Sequence, residues 1–144
     1  MPEGWIPVVF IAADQSRTEE MRRALPDSVP RADAVQQAGR SALLTTAILT
    51  GDAGLLRSAM GDRLHQPYRL PHLPGVSELI DIGYEHGGQG VALSGAGPSV
   101  LAICDSPITA HSVEKAWNAA GLRGMATRLR FDIAGARLSR SDVP

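Results

Sequence analysis

Val91-Ala92-Leu93-Ser94-Gly95-Ala96-Gly97-Pro98-Ser99-Val100-Leu101-Ala102-Ile103-Cys104 is the stretch on which the fold turns. Two short apolar runs rich in β-formers flank the turn-forming Ser94-Gly95-Ala96-Gly97-Pro98. A connection this short cannot make a parallel crossover, so the spacing predicts a β-hairpin. Toward the C-terminus, Thr109 is a candidate cap for a helix whose inner face is Val113, Ala116, Trp117 and Ala120, closed by Gly121. Leu129, Phe131 and Ile133 then alternate with Arg128, Arg130 and Asp132, the period-2 pattern of a strand with one wet face. A turn at Gly135 is read as returning the chain into a last short strand, with a frayed tail from about residue 138.

Toward the N-terminus, Val76, Leu79, Ile80 and Tyr84 predict a helix from Gly75 to His86, ended by Gly87-Gly88. Asp52 can cap a helix carrying Leu55, Leu56, Ala59 and Met60. Val35, Ala38, Ala42, Leu43 and Leu49 recur at helical spacing from Arg31 to Thr50, with Gly51 as terminator. Ser16-Arg17-Thr18-Glu19 has capping-box spacing before Met21, Ala24 and Leu25, and Pro26 stops that short helix. The opening Trp5 to Ala12 run reads as a strand buried on both faces.

Strand, several helices, hairpin, helix, strand is not a regular βαβ alternation, so the class is α+β: an antiparallel sheet with helices on one face. Residues 1–144 fit one domain, with 44% hydrophobic and 20% charged residues, an ordinary globular composition. The net charge of -1 provides no overall field for nucleic acid or an anionic membrane. The longest apolar stretch, Trp5 to Ala13, is far short of the roughly 18–20 residues that span a bilayer. No cationic leader precedes an apolar signal core, and the single Cys104 fits a reducing, cytoplasmic setting.

Three segments can carry chemistry. Ser94, Gly95, Ala96, Gly97 and Ser99 belong to a Gly-rich turn whose backbone N–H groups can approach an anion, although a plain hairpin turn has the same spacing. Asp62-Arg63-Leu64-His65-Gln66-Pro67-Tyr68-Arg69 gathers acid, imidazole, amide, phenol and guanidinium around a proline. There Arg69 could hold a carboxylate through two parallel hydrogen bonds, against the alternative of a polar loop. At helical spacing Glu19 and Glu20 both reach Arg23, which leaves Arg22 the less neutralised and the better ligand candidate. The alternative is a solvated arginine on a helix flank. No Ser-His-Asp set, P-loop or metal-spaced His/Cys group is present, so neither catalytic residue nor metal ligand is assigned.

Together these segments resemble the C-terminal half of the homoserine kinases, within the GHMP small-molecule kinase family. The resemblance runs from Trp5-Ile6-Pro7-Val8-Val9 through Thr18-Glu19-Glu20-Met21-Arg22-Arg23-Ala24-Leu25-Pro26 and the Asp62 to Arg69 segment to Leu93-Ser94-Gly95-Ala96-Gly97-Pro98-Ser99. The last resembles the third GHMP motif. The Arg…Leu-Pro and His-x-x-x-Arg stretches resemble homoserine kinases in particular. The resemblance implies a ferredoxin-like C-terminal domain and ATP-dependent phosphorylation of the L-homoserine hydroxyl on the route to threonine. Arg22 and Arg69 would clamp the substrate carboxylate, with His65 beside them and Gly95 to Ser99 near the phosphates. The N-terminal nucleotide-binding domain and its acidic residues have no counterpart in this sequence. ATP and Mg²⁺ are therefore expected in the complete enzyme and neither on this chain alone, which is expected to self-associate through the uncovered face. The alternative is a non-catalytic amino-acid-binding or dimerisation module of the same fold.

Overall fold

The computed structural model describes residues 2–14 and 18–135. The Ser16-Arg17 half of the expected capping box, the returning strand after Gly135 and the frayed tail lie outside the described residues. Four strands, β1 (Ile6–Ala12), β2 (Gly90–Leu93), β3 (Val100–Cys104) and β4 (Gly124–Arg128), form one antiparallel sheet in the order β2-β3-β1-β4. Helices α1 (Thr18–Arg23), α2 (Arg31–Thr50), α3 (Leu56–Ala59), α4 (Gln66–Arg69) and α5 (Val76–Glu85) lie between β1 and β2, and α6 (Pro107–Ala119) joins β3 to β4. This is the split βαβ, ferredoxin-like arrangement enlarged by the α1–α4 insertion.

The hairpin forms where its sequence places it. Ser94 N–H donates to the Ser99 carbonyl at 2.9 Å and Gly97 N–H to the Ser94 carbonyl at 3.1 Å. Gly95 and Gly97 have φ of 62° and 79°, the left-handed region where a side chain is strained. The Gly97–Pro98 peptide is cis. Alternation then sends Val8, Phe10, Val100, Ala102 and Cys104 to one face, where they meet Val76 and Leu79 of α5 and Ala110, Val113 and Trp117 of α6. Trp117 meets Phe10 edge-on at 6.5 Å between ring centres and donates its indole N–H to the Leu79 carbonyl at 2.7 Å. Burying these two rings contributes about 2–3 kcal/mol each in transfer terms, and the ring pair adds about 1 kcal/mol.

The antiparallel α+β sheet stands, but its helices are not confined to one face. Leu44, Ala47 and Ile48 of α2 and Leu56 of α3 pack with Ile103, Leu101 and Trp5 on the opposite side. The physical reason is in β3, whose Ile103 and Leu101 are apolar on the face that a one-sided sheet would leave wet. α2 occupies the predicted span and ends in the left-handed Gly51, whose N–H donates to Ala47. Its packed stripe is Leu44, Ala47 and Ile48; Val35 and Leu49 are exposed. Ser41, Thr45, Thr46 and Thr50 donate to carbonyls one turn back and need no partner across an interface.

Coverage by α2 stops short of β1 and β4. On that face Pro7 is buried, Val9 half-buried and Ile11 49% exposed, so β1 is closed on both faces only at its start and its second face opens toward Ile11. β4 also comes earlier than the Leu129 to Ile133 alternation suggests. β1 begins at Ile6, its ladder with β4 ends at Val8 opposite Arg128, and Leu129 adds one last bond to the Pro7 carbonyl. Beyond it the alternating run has no neighbour to pair with, and Ile133 is 88% exposed. The cap of α6 is Ser106 rather than Thr109: Pro107 takes the first helical position and Thr109 closes the capping box three residues on.

Both edges of the sheet are sealed by side chains. On β4, Asn118 accepts from Ala126 N–H at 2.8 Å and donates to its carbonyl at 3.2 Å, while Glu114 accepts from Arg128 N–H at 3.3 Å. On β2, the Tyr84 hydroxyl donates to the Val91 carbonyl at 3.2 Å and the Gln66 amide oxygen accepts from Leu93 N–H at 2.8 Å.

Candidate functional site

Arg22, His65, Arg69, Gly95 and Ala96 line one cavity of about 530 Å³, walled by Gln37 and Leu44 of α2, the Ala59 to Asp62 turn and the end of β2. Local chemistry sets this up. The Asp62 carboxylate accepts from the backbone N–H groups of Leu64, His65 and Gln66 at 2.8, 3.0 and 2.6 Å, which starts α4 just before Pro67. Partial burial pushes the Asp62 carboxyl up, but the three N–H donors and the neighbouring His65 outweigh it and hold it below its usual range. His65 stands 3.4 Å from that carboxylate and is half-exposed.

α4 carries Arg69 to the middle of the cavity wall. Its Nε donates to the Met21 carbonyl at 3.3 Å and its Nη1 to the Gly95 carbonyl at 3.0 Å, so one guanidinium ties α1 to the Gly-rich turn. Two of its five N–H groups are used, and the rest make no hydrogen bond among the described residues. Arg22, one residue past Met21, is exposed and its guanidinium has no ion-pair or hydrogen-bond partner among the described residues, whereas Arg23 pairs with Glu19 at 3.5 Å. Within the turn, the N–H groups of Gly95 and Ala96 make no internal hydrogen bond among the described residues. Ser94, Gly97 and Ser99 stand differently: Ser94 and Gly97 close the turn, and the Ser99 hydroxyl accepts from Ala12 N–H at 3.4 Å, so these three brace the loop rather than line the cavity.

Three further residues shape the site: Gln66, read in the sequence only as part of the Asp62 to Arg69 cluster, and Gln37 and Arg40, which the sequence did not single out. Gln66 anchors the end of β2 immediately before the turn. Gln37 holds the 61–63 segment by accepting from Arg63 N–H at 3.3 Å and donating to the Gly61 carbonyl at 3.5 Å. Arg40 lies against Gly61, where an added Cβ would fall 2.9 Å from its guanidinium carbon, and its Nη1 is buried without a partner among the described residues. Polar side chains at one face of a long helix, three and seven residues from Leu44 or each other, were the available signal. Cys104 is free and buried; burial, with the Asp105 charge second, pushes its thiol up to about 11, and it takes no part in the site. No three His, Cys, Asp or Glu side chains gather as a metal site, and no helix is long and apolar enough to cross a membrane, among the described residues.

The cavity thus joins a Gly-rich turn with open backbone donors to Arg22 and Arg69 at one end of a ferredoxin-like sheet, and the family described as GHMP kinases C terminal matches residues 44–122. The chain belongs to that family. The curated homoserine kinase of Synechococcus sp. (strain CC9311) is 41% identical over 139 residues, which is 94% of this chain and 44% of that protein. The homoserine kinase of Prochlorococcus marinus (strain MIT 9303) is 39% identical over 131 residues, 89% of this chain and 42% of that one. Among solved structures, homoserine kinase from Cytophaga hutchinsonii superposes with a TM-score of 0.83 at 24% identity, over 88% of this chain and 42% of the other. Streptococcus pneumoniae phosphomevalonate kinase, solved with phosphomevalonate and AMPPNP, gives 0.67 at 12% identity, over 89% and 41%. The last two likenesses speak to the fold. The chain spans less than half the length of the curated relatives it matches.

Proposed function

We propose that this chain is the substrate-side, C-terminal half of a homoserine kinase, acting with an N-terminal nucleotide-binding half in the cytoplasm. The observation that carries the reading is the convergence of Arg22, His65, Arg69 and the open end of the Gly-rich turn on one cavity, in a chain 41% identical to a homoserine kinase. The cavity suits a small amino acid. Arg22 and the free edge of Arg69 offer charge-assisted donors for the α-carboxylate, and the Gly95 and Ala96 N–H groups offer donors for phosphate oxygens. His65, held by Asp62, lies within the same cavity as a polar contact for substrate.

ATP and Mg²⁺ belong to the complete enzyme in this reading. The described residues supply donors on one side of the phosphates, and the remainder of the kinase holds nucleotide and metal. Bound MgATP would supply the transferable phosphoryl group; what these residues do is fix the acceptor amino acid so that its hydroxyl meets that group in line. The chain alone is accordingly expected to show no turnover, and to self-associate where its apolar sheet face is uncovered.

The test is coupled ADP release with L-homoserine, run on the chain with and without the N-terminal half of a homoserine kinase relative. Activity appearing only with both halves supports the reading, and turnover by the chain alone refutes the division of labour. Saturable L-homoserine binding without kinase activity under either condition would favour the amino-acid-binding module instead.

A further inference from the structure

We propose that a second cavity, bounded by α1, the 72–74 segment and the start of β4, binds a free α-amino acid with an apolar side chain. It encloses about 410 Å³, a volume ordinary for a small-molecule site, and shares no lining residue with the cavity of Arg22 and Arg69. Its floor is built from core side chains. Phe10 of β1, Met21 of α1, and Val76 and Leu79 of α5 are all buried, so packing fixes them before any ligand arrives. Leu73 and Leu122 add to the apolar lining.

Charge is confined to the rim, where Asp14, Glu20, His72 and Arg123 are all exposed. Arg123, just before β4, donates from Nη2 to both oxygens of Asp14, just past β1, at 2.9 and 2.7 Å. Its Nε and Nη1 make no hydrogen bond among the described residues. These two zones define the occupant. The floor takes an apolar body and penalises a polar one, which would lose water there without gaining a partner. Two carboxylates on the rim, Asp14 and Glu20, oppose a phosphate or any other simple anion, and a simple cation would leave Arg123 facing like charge. A zwitterion meets both demands. Its ammonium sits against Asp14 and its carboxylate takes the unused Arg123 donors, so alternating charges replace an exposed ion pair of little worth by itself. An α-amino acid carries both charges on one carbon, which suits two side chains already in contact, and its side chain leaves the same carbon to reach the floor. Neighbouring residues of α1 separate the two cavities, with Met21 lining this one and Arg22 the other, and the Gly-rich turn does the same through Pro98 on one side and Gly95 and Ala96 on the other.

The experiment titrates the chain, isotope-labelled at its methionine methyl groups, with L-leucine and reads the methyl signals by NMR. Met21 reports this cavity, Met60 the other, and Met125, exposed on β4, neither. L-leucine is expected to shift Met21 saturably with a Kd of about 1 mM, ordinary for so small a ligand, and to leave Met60 and Met125 in place. Glycine, isocaproate and isoamylamine remove the side chain, the ammonium and the carboxylate in turn, and each should bind about 10-fold more weakly or worse. Arg123→Met and Asp14→Asn, both at exposed positions, should weaken L-leucine by a similar factor while the Met60 and Met125 signals stay as in the wild type. A Met21 signal unmoved by L-leucine at about ten times that Kd overturns the site. So does equal binding of isoamylamine or isocaproate, which would remove the zwitterion, and so does movement of Met60 in place of Met21, which would put the ligand in the other cavity. The substrate reading is tested by ADP release and this site by Met21, so each can fail without the other.

Discussion

Arg69 has two assignments, and replacing it separates them. In the structure its fork joins the Met21 carbonyl of α1 to the Gly95 carbonyl of the turn. Arg69→Met keeps the apolar stem and removes both bonds. A hydrogen bond from a charged group is worth about 1.5–3 kcal/mol when sheltered, but the Gly95 contact is exposed and the Met21 contact half-buried, so about 0.5–1 kcal/mol each is the right scale. The expected loss is thus about 1–2 kcal/mol. With a urea slope near 2 kcal/mol/M, the unfolding midpoint should fall by about 0.5–1 M with the slope unchanged. Arg69→Lys keeps the charge but offers a point donor that cannot span both carbonyls, so it should recover half of the loss or less. If both variants unfold within about 0.3 kcal/mol of the wild type, a threshold well under one such bond, the brace contributes nothing and the coupling of α1 to the turn is wrong.

Arg22→Ala should leave the chain's stability unchanged, because its guanidinium has no partner among the described residues, yet raise KM for L-homoserine about 10–100-fold in the proposed two-half enzyme, read from initial rates. Gly95→Ala and Gly97→Ala should differ: an added Cβ at Gly95 meets nothing within 4 Å, whereas at Gly97 it falls 2.7 Å from Leu73 Cδ1. Thermal melts should show a loss of about 1–2 kcal/mol for Gly95→Ala, the left-handed cost alone, and clearly more for Gly97→Ala; equal losses would contradict the turn geometry. Asp62→Ala should cost about 2 kcal/mol by unseating three N–H donors. Because the folded carboxyl titrates below its ordinary 3.8, that contribution is present above about pH 4 and disappears as pH falls through the lower folded value. Urea unfolding of wild type and Asp62→Ala at several pH values should show the gap closing only in acid.

The hairpin, the span of α2 and the α5 helix were legible because each has local punctuation: the Gly-Pro turn, Gly51, and Gly75 with Gly87. So was the rivalry of Arg22 and Arg23, since the Glu19–Arg23 pair depends on helical spacing alone. What escaped is what depends on a partner in space. Val35 and Leu49 fit an apolar helical stripe, but which stripe of α2 is used depends on Ile103, far away in sequence. The Leu129 to Ile133 alternation is real, yet a strand exists only as far as β1 extends to pair with it. Gln66, Gln37 and Arg40 are ordinary helix residues until the fold brings them to the end of β2 and to Gly61. The polar residues that build the cavity were visible as types; the meeting of Arg22, His65, Arg69 and the Gly-rich turn was expected from the family resemblance and not from spacing, and the places of Gln37 and Arg40 came from the fold alone.

The sealed edges decide what kind of assembly this chain can enter. Edge pairing is open-ended, since each added strand presents a new edge, and it leads to fibres. A face is consumed when it is covered. With Asn118 and Glu114 on one side and Tyr84 and Gln66 on the other, any association through Ile11 and Met125 terminates at a fixed stoichiometry.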